Sequence, residues 1–240
     1  MIQTKFRNLA QNAQKLFRAN LKLIFAQHFI YFLIAALTSF ILITLIIVLN
    51  SETMPTPATI YGLLLFPGML LIFYPCTYGI QLDLDAGMLE TLFGIPNYRY
   101  KVWLIRLGIA YLVVAFILLL LAGISHYFIA SIPVFKMVFH LLFPLLFLGS
   151  LAFLFATLTR SGHGAAVLII VFGFGLWLFY DTLQNTRWNL YHNPFTESSS
   201  LNPITLNEIT FYNRAIMLAG AIIAVLWGLL NLQRREKFMQ

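Results

Sequence analysis

The chain reads as an all-α polytopic membrane protein, with six transmembrane helices and an N-terminal amphipathic interfacial helix. Three observations lead there. Of 240 residues, 60% are hydrophobic and only 10% charged, against about 25% charged in a soluble domain. Apolar runs near the length that crosses a bilayer, about 20 residues, recur along the chain. Lysine and arginine collect at alternate ends of those runs. The composition excludes a cytosolic enzyme, a disordered chain and a secreted disulfide domain. The single cysteine, Cys76, forbids an intrachain disulfide and a multi-cysteine metal site. The net charge of +7 does not point to nucleic acid, because the basic residues flank apolar runs instead of forming one patch.

The elements follow in order. Residues 1–26 place Ile2, Phe6, Leu9, Ala13, Leu16 and Phe17 on one helical face. Arg7, Lys15, Arg18 and Lys22 lie opposite, with Lys5 at the edge. Such a helix lies flat on the anionic inner leaflet. The segment stays polar for too long to be a signal peptide. Residues 27–240 hold the six predicted spans, at 29–49, 58–81, 102–122, 137–158, 165–180 and 215–232. Six spans place both termini on one side. That side takes twelve of the fifteen Lys and Arg, leaving Lys136, Arg187 and Arg214 for the other. The bias predicts a multi-pass protein of the inner (plasma) membrane with both termini cytoplasmic.

The segment between spans two and three is the most informative. Asp83, Asp85 and Glu90, three of eight acids, fall within eight positions. Residues 84–93 are predicted as a short helix, with Asp83 or Asp85 as its cap. Gly94 supplies its left-handed end and Pro96 bars continuation. Leu84, Met88, Leu89, Leu92 and Phe93 form an apolar stripe along it. One reading is a helical loop among lipid headgroups. An anionic leaflet would repel the three acids, so a protein partner fits them better.

The run from Asp83 to Leu92 (DLDAGMLETL), followed by Pro96 and Arg99, resembles the cytoplasmic loop of type-2 ABC transporter permeases. That loop shows an acid, then Gly-Thr-Leu-Glu-x-Leu, then a proline and a basic residue; here Met88 replaces the threonine. Residues 151–164 (LAFLFATLTRSGHG) look like the family's end of span four. Asn202-Pro203, Asn213-Arg214 and RREKF at 234–238 look like its last-span signature. The resemblance covers nearly the whole chain. Heme-exporter permeases of the cytochrome-maturation type, and gliding-motility and bacteriocin-type export permeases, are similar.

The resemblance implies the transmembrane subunit of an ATP-driven exporter. It implies a dimer with a second permease copy or homologue, and an ATP-binding cassette subunit that holds ATP and Mg. Asp83, Asp85, Met88, Leu89, Glu90, Leu92 and Phe93 would couple to that subunit. Spans one and five would line the two-fold interface and the path, with Phe172, Phe174 and Trp177 as bulky lining beside His140. The sequence holds no G-x-x-x-x-G-K-[ST] phosphate loop, so energy must come from a partner or an ion gradient.

An ion-coupled carrier usually holds an acid within a span. None of the eight lies in an apolar run, and Asp181 sits just beyond one. His140 is the ionisable residue deep in a span, where it carries protons, binds cargo or bonds a neighbouring helix. Arg106, a turn inside, is expected to snorkel to the headgroups. Enzyme activity is not expected. There is no H-E-x-x-H, Ser161 and His163 share one short turn, and His126 with His192 is a poor metal set. A membrane scaffold that recruits cytoplasmic partners is the rival reading. The predicted outer loop, 181–213, carries Trp188, Tyr191, Phe195 and Phe211, and should pack on the spans, since buried backbone needs protein around it. Gly220, Ala224 and Gly228 form a small ridge suited to close helix packing.

Overall fold

The computed structural model describes residues 29–50, 55–85, 98–183, 186–196 and 202–232. The predicted N-terminal interfacial helix and most of the predicted 84–93 helix lie outside them. Among the described residues there are seven helices and no strand. They are α1 (Phe29–Asn50), α2 (Pro57–Asp85), α3 (Tyr98–Phe128), α4 (Val134–Thr159), α5 (Gly162–Leu178), the four-residue α6 (Tyr180–Leu183) and α7 (Pro203–Leu232). Five of these, α1 to α4 and α7, are long and apolar enough to cross a membrane; α5, at 17 residues, is shorter. Helices suit this composition because they pair every interior backbone group within one segment.

Two boundaries differ from expectation. The last helix begins at Pro203, so residues 203–213 are helix where the apolar pattern placed a loop. The cause is local. Asn202 Oδ1 accepts from the Ile204 N–H at 3.4 Å, and proline suits the first helical position because it needs no donor there. The second difference is α2, which runs unbroken through Pro67 and Pro75 to Asp85. Asp83 and Asp85 thus belong to its last turn.

The core is built around α4. Helices α7, α2, α5 and α3 all pack on it, while α1 packs chiefly on α2. Met137, Leu141 and Leu145 of α4 are fully buried. The small ridge on α7 receives α4 side chains: a Cβ on Gly220 would stand 2.7 Å from the Phe147 ring, and one on Gly228 2.8 Å from the Phe153 ring. The ridge therefore serves packing within this chain.

Two hydrogen bonds fix how the chain runs after α4. The Gly162 N–H donates to Gln81 Oε1 at 2.7 Å, near the C-terminal end of α2. Asn193 Nδ2 donates to the Ala58 carbonyl at 2.8 Å, in the first turn of α2. Ala58 and Gln81 are about 35 Å apart along the helix at 1.5 Å per residue. Residues 162–193 therefore travel the length of α2, from what we term the Arg160 end to the Arg214 end. Gly228→Leu should lower stability by about 1–3 kcal/mol through overpacking against Phe153. Gly175→Ala, where a Cβ meets nothing within 4 Å, should leave the melting temperature unchanged or raised; thermal unfolding in detergent reads both.

Candidate functional site

At the Arg160 end, α4 and α5 are joined by one tight turn. Arg160 adopts the left-handed conformation (φ 56°) that closes α4, and its N–H donates to the Ala156 carbonyl at 3.0 Å. Ser161 caps α5, its Oγ accepting from Gly164 N at 3.4 Å. The turn is fastened to α2. Besides the Gln81–Gly162 bond, Tyr78 Oη lies 3.2 Å from His163 Nδ1, with the rings edge to face. The approach requires glycine at 162: a methyl there would overlap the Tyr78 ring and sit 2.8 Å from Gln81 Oε1. One half-turn further along α2 come Asp83 and Asp85, with Asp85 exposed. Met88, Leu89, Glu90, Leu92 and Phe93 lie outside the described residues.

The Arg106 side chain is buried against protein, with the guanidinium carbon 5.0 Å from the centre of the Trp103 ring. A π face replaces water around a guanidinium buried in this way.

The residues proposed to line a path are not gathered in one place within the chain. Phe172 is half-buried against Phe147, with ring centres 6.3 Å apart. Phe174 and Trp177 stack on each other at 5.6 Å and face outward, 57% and 60% exposed. His140 sits on α4 between the rings of Phe139 and Phe195, at 5.6 and 5.9 Å. Its backbone carbonyl faces Tyr61 Oη at 3.5 Å.

The most connected polar site is one the apolar pattern passed over. Arg214, 5% exposed, lies in the twelfth position of α7. Its Nη2 donates to Tyr61 Oη at 3.0 Å and to the His192 carbonyl at 3.1 Å. Its Nη1 donates to Asn213 Oδ1 at 3.1 Å and reaches Met217 Sδ at 3.6 Å. Asn213 Nδ2 donates to the carbonyls of Arg187 and Asn189 at 2.9 and 2.8 Å. The Thr210 hydroxyl donates to the Leu206 carbonyl at 2.8 Å, which leaves its oxygen to accept from His192 Nε2 at 2.8 Å. Three carbonyls of the non-helical stretch 186–196, those of Arg187, Asn189 and His192, are thus paired by side chains of α7.

These long apolar helices define an all-helical membrane protein. No family model matches the chain, and no curated protein or solved structure is significantly similar to it.

His192 carries a pH consequence. Burial, then the Arg214 charge and His140, push its pKa from the ordinary 6.5 down to about 4. The unfolded chain therefore takes up this proton at a higher pH than the folded one. Stability is complete above about pH 6.5 and falls as the pH drops toward 4. The melting temperature in detergent should decline across that window, and His192→Gln should flatten part of the decline.

Proposed function

We propose that the chain is the transmembrane permease subunit of an ATP-driven ABC exporter, moving a cargo across the inner membrane with ATP hydrolysed by a separate nucleotide-binding subunit. In this reading α5 and the residues after it form the sixth span. The Arg160 end is cytoplasmic, as are both termini, and a second permease copy or homologue completes a dimer. The observation that carries the proposal is the acidic run from Asp83 to Leu92, with its likeness to the permease coupling loop. Its beginning stands at the end of an unbroken α2. Asp83, Asp85 and Glu90 would meet basic groups of the ATPase, and Met88, Leu89, Leu92 and Phe93 would fill an apolar groove on it.

The route inward is mechanical. When two ATPase subunits close on ATP and Mg, the acidic segment moves with them. Helix α2 transmits that displacement as a rod, and the Gln81–Gly162 and Tyr78–His163 contacts carry it to the start of α5. No covalent bond is made or broken in this chain. A carrier driven by ions would need a protonatable acid in the bilayer, and the acids of α2 and α7, Asp83, Asp85 and Glu208, lie near the helix ends.

Affinity purification of the full chain should recover an ATPase bearing a phosphate-binding loop; recovery of non-ATPase partners alone would leave a scaffold. In the recovered complex, Glu90→Arg should preserve membrane insertion and abolish cargo-stimulated ATP hydrolysis. Hydrolysis at the wild-type rate would remove Glu90 from the coupling surface.

A further inference from the structure

We propose that the Arg214 guanidinium is the catch of a strap: it holds residues 186–196 down over the Arg214 end of the bundle, and releasing it opens that end without unfolding the helices. The strap is non-helical backbone with a buried centre: Asn189, Leu190 and His192 are 2%, 3% and 6% exposed, while Arg187, Trp188 and Thr196 are exposed. It touches four helices. Asn193 bonds to the Ala58 carbonyl of α2 and the Tyr191 hydroxyl to the Gly173 carbonyl of α5, at 2.8 and 2.9 Å. Phe195 packs against Tyr61 of α2 and His140 of α4, with ring centres 5.9 Å apart in each case. On α7, Asn213 takes up two strap carbonyls and Arg214 a third.

Arg214 differs from the other fasteners in the number of elements that meet on it. One guanidinium group binds the strap at His192, α2 at Tyr61 and its own helix at Asn213. Its guanidinium carbon also lies 5.9 Å from the centre of the Phe143 ring of α4. The planar fork of arginine suits this, because it aims several donors at fixed angles. Every partner is neutral: a hydroxyl, a backbone carbonyl, an amide oxygen, a thioether and a ring. Hydrogen bonds from a charged donor exceed neutral ones in strength. Yet among the described residues no carboxylate pairs with this charge, so separation there leaves no second ion stranded in the apolar interior. That combination gives a joint firm at rest and reversible under load, as a two-state element requires.

The test uses the full chain in lipid nanodiscs, where a membrane-impermeant maleimide reaches both faces. With Cys76→Ala removing the native thiol, Leu190→Cys reports on the strap; the native Cys76, buried in the core, reports on the bundle in a parallel sample. Adding Arg214→Met should speed labelling at Leu190→Cys by about tenfold or more, the mark of a local opening made easier. Cys76 should stay protected, and Arg214→Lys should give an intermediate rate. Unchanged protection at Leu190→Cys in the methionine variant overturns the catch. So does equal exposure of Cys76, which would make Arg214 a support of the whole bundle.

Discussion

Every backbone amide and carbonyl in this protein that lies away from water must find a partner inside the protein. Helices meet that demand for most of the chain, and the architecture follows from it. Where the backbone leaves the helix, the demand falls on side chains. Asn213 and Arg214 supply it for carbonyls of residues 186–196, and Gln81 and Ser161 supply it for the first turn of α5. Among the described residues, five of the ten buried polar or charged side chains, Asn189, His192, Thr210, Asn213 and Arg214, lie at the first of these two irregular joints. Those joints are also where neighbouring helices are tied together.

The two joints sit at opposite ends of α2, and α4 connects them through the core. At one end, a glutamine and a tyrosine of α2 grip the α4–α5 turn. At the other, Tyr61 of α2 bridges Arg214 of α7 and the His140 carbonyl of α4. A displacement of α2 along its axis thus reaches α5 at one end and the strap at the other. In the exporter reading, that geometry lets an event at the acidic segment be felt across the thickness of the membrane.

Much of the helical framework was legible from apolar run length alone, because a bilayer selects for length and hydropathy together. The small ridge at Gly220 and Gly228, read as suited to close helix packing, does receive α4 side chains. The start of α7 did not, since Asn207, Glu208, Asn213 and Arg214 dilute the hydropathy there; the Asn202-Pro203 cap was the better signal. The 17 residues of α5 fall short of the length of a full span, which the apolar run alone did not show. The Arg214 site could not be assembled from local pattern, because Tyr61 is 153 positions away, although Asn213-Arg214 stood out as a pair. Asp83 and Asp85, read as the start of an acidic segment, stand in the last turn of α2. Phe174 and Trp177 looked like lining and face outward in the single chain, where lipid or a second copy would meet them.

Unequal helix lengths impose their own demand on the surrounding bilayer. At 1.5 Å per residue, the 30 residues of α7 extend about 45 Å and the 17 of α5 about 25 Å. Against a hydrocarbon slab about 30 Å thick, one helix overshoots and the other undershoots. Where lipid meets both helices, the apolar height it must match differs between the α7 flank and the flank where Phe174 and Trp177 face outward.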